Sequence, residues 1–163
     1  MEETTKPLIE DMVWGNPRTL TPFDQRRLAA WIVKTTMTAE FLYPKEVAIT
    51  QTEREKFRLM PEPGPHWQIW VAFYTGTKQI AGGIFHHGVG LYPLPLPMRV
   101  GIKNTQFTVL GLGRMLVLNV SSEQDILTFH LRPEADIALK RLWPPSDIDL
   151  TGQGGLHGGI SLT

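Results

Sequence analysis

The alternation of apolar and polar positions divides the chain into a helical first third and a mostly extended remainder. Between residues 21 and 42 the order TPFDQRRLAAWIVKTTMTAEFL repeats side chains at spacings of three and four. Leu28, Trp31, Ile32, Thr35 and Ala39 form one stripe, which leaves Gln25, Arg26, Arg27, Thr38 and Glu40 for the wetter side. Thr21 is placed to accept from a free backbone N–H, and Pro22 fits the first helical position, where its missing donor costs nothing. Asp24 puts negative charge where the helix dipole favours it, and Pro44 forbids continuation. The pattern predicts a long helix over about 22–42 with Trp31 among its more buried residues. A second helix is expected over about 50–60, with Thr50 as cap and Glu53 completing a capping box. Upstream, Leu8, Ile9, Met12 and Val13 suggest only a short amphipathic turn across 6–13.

The prolines of PEPGP at 61–65 change the regime. Trp67, Ile69, Val71 and Phe73 then alternate with Gln68, Trp70, Ala72 and Tyr74, the signature of a strand with one fully apolar face. Gly76 is read as a turn and 79–86 as the partner strand. LYPLPLPM at 91–98 has prolines at every second position, which restricts it to a connector or a sheet edge. Further strands are expected at 99–103, 106–110, 114–120 and 126–131, and a short helix over 133–142. Gly111-Leu112-Gly113 marks either a hairpin turn or a bulge. The expected architecture is α+β. Both helices pack on an antiparallel sheet of about four to six strands. One domain spans 1–150, and 151–163 forms a glycine-rich mobile tail.

Composition adds little to that picture, but charge adds something. The 163 residues are 42% hydrophobic and 20% charged, as in ordinary globular domains. No run approaches the length of a membrane span and the acidic N-terminus is unlike a signal peptide, so a cytoplasmic protein with no membrane partner is expected. The formal net charge of zero conceals an asymmetry: no Asp or Glu occurs from Pro63 to Ser122, where Lys78, Arg99, Lys103 and Arg114 lie. That block is either an apolar sheet with few charges or a surface that faces an anion.

Catalytic signatures are missing. The chain has no cysteine, which removes thiolate metal sites and cysteine nucleophiles, and its five histidines lack ligand spacing. His86 and His87 are adjacent on an expected strand and so point to opposite faces. There is no HExxH, Gly-x-Ser-x-Gly or phosphate-loop pattern. No catalytic residue, metal site or cofactor is therefore assigned.

The strings KPLIEDMVWGNPRTLTPFDQRRLAAWIVKTTM, PGPHWQIWVAFYTG and QFTVLGLGRMLVLNV, with a closing WPP, cover nearly all of the chain. Together they resemble a group of bacterial and phage proteins in which a Cys-rich module similar to HNH endonucleases precedes such a domain. The resemblance implies a non-catalytic recognition domain that guides this module, in cis or in trans, to nucleic acid. The module's Cys and His residues are absent here, so nuclease activity is not carried over. Two alternatives stand beside this one, a binder of small anionic nucleotides and a structural or homodimerising domain. The ligand residues expected are Lys34, Trp67, Trp70, Lys78, Arg99, Lys103 and Arg114. In that scheme the bases meet phosphate, and one of Trp67 and Trp70 stays exposed to stack on a base.

Overall fold

A computed structural model describes residues 2–16, 18–74, 80–92, 101–123, 128–132, 138–145 and 148–149. The expectations for Gly76, Lys78, Arg99, the 93–98 connector, 133–137 and the 151–163 tail lie outside the described residues.

The main helix forms as its sequence dictates. It is preceded by α1 (Glu2–Trp14), so that α2 is Pro22–Ala39, continued by a single 3-10 turn, Glu40–Leu42. Thr21 caps α2 with a complete capping box: its hydroxyl accepts from Asp24 N at 3.1 Å, and Asp24 Oδ2 accepts from Thr21 N at 3.3 Å. The segment 6–13, expected as a short turn, is instead part of α1, which buries Leu8 and Met12. Tertiary packing supplies what the local pattern lacked. The third helix, α3 (Gln51–Leu59), begins at the Thr50 cap.

Among the described residues, five strands form one antiparallel sheet in the order β3-β4-β5-β2-β6. These are β2 (Trp67–Phe73), β3 (Ile80–Val89), β4 (Thr105–Gly113), β5 (Met115–Ser122) and β6 (Lys140–Trp143). The fold class is thus α+β, as expected. A separate two-stranded ribbon pairs β1 (Thr19–Leu20) with β7 (Ile148–Asp149). The Gly111–Gly113 ambiguity resolves as a hairpin: Leu112 pairs with Met115 across a two-residue turn, and Gly113 adopts φ +58°.

Four strand or helix expectations fail: the strand at 80–89, expected to partner 67–74, pairs with β4 instead, while β2 lies between β5 and β6. Residues 101–104 lie in a turn and loop, and 128–131 run without strand pairing. Lys140–Leu142, expected in a helix, belong to β6, because pairing with β2 satisfies their backbone better than an isolated helical turn would.

The core lies between α2 and the sheet. Ile69 and Val71 of β2, Met115 and Val117 of β5, and Leu110 of β4 meet Leu28, Ala29, Ile32 and Val33 of α2. Trp70, Ala72 and Val120 lie on the opposite face, where Leu139 and the half-buried Phe129 and Leu131 pack against them. Trp31 is only half-buried and packs at the edge of the main core. The stripe that actually faces the sheet is rotated from the expected one. It includes Gln25 and Glu40, both assigned to the wet side from sequence.

Candidate functional site

The expected anion site does not come together among the described residues. Trp67 is 1% exposed and Trp70 3%, so neither ring is available to stack on a base. Alternation does put them on opposite faces, but both faces are covered at that point. Arg141 also lies over the Trp70 ring, 5.3 Å from its centroid, and donates to Gln68 Oε1 at 2.9 Å. Lys103 is engaged by Glu46, with Nζ 2.6 Å from Oε2. Arg114 sits in the β4–β5 turn, where its backbone N–H donates to Val13 O at 2.8 Å and its side chain packs against Gly15. Lys34 lies on the exposed side of α2.

The structure gathers instead a buried polar chain that runs from α3 to β5. At its centre is Glu40, 1% exposed. Glu40 Oε1 accepts from Ala48 N at 2.9 Å and Ile49 N at 3.2 Å, and Oε2 accepts from Arg54 Nη2. Arg54 Nη1 also donates to Met37 O at 2.8 Å. His86 of β3 points inward, with Nε2 3.3 Å from Glu40 Oε1 and Nδ1 2.7 Å from Thr108 Oγ1. Thr108 continues to Gln106 Oε1 at 2.6 Å, Gln106 Nε2 to Asn119 Oδ1 at 2.9 Å, and Thr36 Oγ1 closes back to Asn119 at 3.3 Å. Carboxylate, imidazole and hydroxyl stand in sequence as in a nucleophilic triad. Here Glu40, His86 and Thr108 are all closed off from solvent, and the arrangement ties the helical segment to the 48–49 loop, α3 and the strands β3, β4 and β5.

A second carboxylate protects the sheet edge. Glu46 Oε2 accepts from Gly88 N at 3.0 Å and lies 2.9 Å from His87 Nδ1, while Tyr43 OH donates to Ile84 O at 3.0 Å. These contacts occupy outward-facing backbone groups of β3, which would otherwise present an edge for pairing. The Lys103 ammonium, then the Gly88 N–H, hold the Glu46 carboxyl below the ordinary carboxylate value.

The third helix is mounted by polar contacts and by Phe57, which is half-buried against the main core. Glu53 does not complete the expected capping box with Thr50; its Oε1 turns away to accept from Trp67 Nε1 and lies 2.6 Å from His66 Nε2. With Arg54 on Glu40, these contacts hold α3 in place although none of its residues is buried. At its end Leu59 is 82% exposed and Met60 67%, beside the exposed Lys56 and Arg58. A groove of about 390 Å³ opens there, lined by Met37, Phe57, Leu59, Met60 and Trp67. Across α2 a second groove of about 490 Å³ lies between the helix and β3–β4, with Lys34 on its wall. Among the described residues no group of three or more His, Asp or Glu is arranged to hold a metal ion, and no helix is long and apolar enough to cross a membrane.

Sequence reasoning missed Glu40, His86 and Thr108 as a unit, since residues 40, 86 and 108 carry no linear signal of contact. The chain matches no family model, no curated protein and no solved structure.

Proposed function

We propose that this is a non-catalytic recognition domain that docks an acidic, partly apolar segment of a partner protein on α3. The carrying observation is that α3 is held in place without burying a single residue. Its last turn offers Leu59 and Met60 to a partner's apolar side chains. Lys56 and Arg58, which have no ion-pair partner among the described residues, offer charge to its acids. Exposed apolar residues rimmed by charge are how docking surfaces present themselves. The HNH-like module of the proteins this chain resembles is the first partner to test. Direct nucleic-acid binding is the weaker reading, because the stacking platform it needs is buried in two cores.

Fluorescence anisotropy tests this with a labelled acidic amphipathic peptide, a basic peptide of the same apolar face, and single- and double-stranded oligonucleotides. The acidic peptide binds, its affinity falls with salt, and Arg58→Glu or Leu59→Ser removes binding. Oligonucleotide binding lost in the same variants would make nucleic acid the partner instead. No response to any probe would end the reading.

A further inference from the structure

The groove beside α3 contains a carboxylate that the fold holds by one oxygen only. Glu53 Oε1 accepts from Trp67 Nε1 and lies 2.6 Å from His66 Nε2. Oε2 has no partner among the described residues, and it is not one of the sealed polar atoms, so it stands open on the groove that Glu53 lines. The 61–66 connector is shaped to the same contact. A Cβ at Gly64 would fall 2.7 Å from His66 Cε1, so glycine there lets the imidazole reach the carboxylate. Two rings thus fix one oxygen and aim the other. The surrounding walls are apolar, formed by Met37, Phe57, Leu59, Met60 and Pro63. Lys56 and Glu62, both exposed, add one charge of each sign, which leaves Glu53 to set the charge of the interior.

We propose that this groove binds a small organic ammonium with an apolar body. The body displaces water from Phe57, Met60 and Pro63, and the ammonium donates to Glu53 Oε2. A held carboxylate among apolar walls is a stronger partner for a cation than one in open water. A neutral body would instead take Oε2 out of water and give it nothing in return. The volume of about 390 Å³ suits one ring system, and an apolar lining with a few convergent polar groups is the usual composition of a small-ligand site. A bare metal ion fits poorly, since the described residues gather no group of three His, Asp or Glu. The proposal does not need the α3 docking reading, although both use Leu59 and Met60.

The test uses 2-naphthylmethylamine, with 2-naphthylmethanol as its neutral counterpart and 2-naphthoate as the anion, followed by NMR of the whole chain. The amine shifts the amides of Phe57, Leu59 and Gly64 together with the indole N–H of Trp67, the alcohol binds several-fold more weakly, and naphthoate binds more weakly still. Glu53→Gln keeps an oxygen for Trp67 and leaves the Thr50 cap, whose bond is to the Glu53 backbone, so circular dichroism and melting temperature stay close to native. In that variant amine affinity falls to that of the alcohol. Lys56→Gln, at an exposed position, gives a second reading: amine binding tightens at low salt while acidic-peptide binding weakens. Absence of the Trp67 indole shift at millimolar amine, equal binding of amine and alcohol, an amine preference that survives Glu53→Gln, or amine binding that fails to tighten in Lys56→Gln would overturn the proposal. Arg58→Glu removes peptide binding and retains amine binding, which keeps failure of the docking reading distinguishable from failure of this one.

Discussion

Replacing Arg54 with methionine tests whether the buried Glu40 node holds the helical layer together. Methionine keeps the aliphatic stem but removes the guanidinium from a carboxylate that is 1% exposed. Taking one partner from a buried ion pair costs about 3–5 kcal/mol, because the remaining charge stays desolvated. Two features place Arg54→Met at the low end. Arg54 is itself 17% exposed, so its own desolvation is incomplete, and Glu40 retains the Ala48 and Ile49 N–H groups and His86. The lost bond to Met37 O adds about 1 kcal/mol, giving a net loss of about 4 kcal/mol. That is a large part of the roughly 5–15 kcal/mol by which domains are stable. Urea denaturation reads it as a lower midpoint at constant slope. Glu40→Gln alone should cost less, since the amide oxygen still accepts from the loop. The double variant should then be more stable than the sum of the two single losses implies, by about 1 kcal/mol or more. A loss under about 1 kcal/mol for Arg54→Met, or strict additivity in the cycle, would show that the pair does not carry the layer.

Three further outcomes follow from the same geometry. Gly113→Ala should lower stability by more than about 1 kcal/mol in the same assay, because φ is +58° and a Cβ would fall 2.5 Å from Val13 O; a neutral result would refute the tight α1–hairpin contact. Thr21→Ala should cost about 1 kcal/mol through the lost α2 cap, and Thr21→Ser should restore most of it. Glu46→Gln reads out pH. Lys103 and Gly88 lower the Glu46 carboxyl in the folded state, so its stabilisation is present above the ordinary carboxylate value and disappears as pH falls through the folded one. The stability gap between wild type and Glu46→Gln should therefore shrink between about pH 6 and pH 3, and a gap that is constant or widens would contradict the assignment.

Local signals were legible where one interaction decides the outcome. Thr21-Pro22-Asp24 starts a helix because the capping groups are all within one turn, and the capping box is there. The alternation at 67–73 likewise produced a strand, since one side of it must face a core. The misplaced α2 stripe has one cause, the treatment of polar character as exposure. Positions 25, 28, 29, 32, 33, 36 and 37 of α2 and 40 of the turn that follows repeat at threes and fours, and all are buried. Gln25 and Glu40 end that repeat, so excluding them as polar rotated the stripe toward Trp31 and Thr35. Had periodicity outweighed polarity, Glu40 would have been placed inside, and a buried carboxylate would have called for a cationic partner. The Trp67 and Trp70 expectation failed differently. Alternation assigns faces correctly but cannot tell whether a distant segment covers the second face, and here Phe129, Leu131 and Leu139 do.

The polar network bears on the position of α2 beside the groove it shares with β3–β4. An apolar groove in water tends to close, and sliding α2 onto Gly82 would bury a strip of the order of one or two methylenes, worth about 1–2 kcal/mol. Thr36 and Glu40 oppose that slide, because they fix α2 to Asn119 of β5 and His86 of β3 at hydrogen-bond distances. Each buried donor or acceptor left without its partner costs about 1–3 kcal/mol, and closing the groove would strain several at once. Apolar packing alone could adjust by small steps, whereas hydrogen bonds of fixed length cannot follow the helix as it moves. Weakening this chain at His86 or Thr108 should therefore loosen α2 against the sheet before it unfolds the domain.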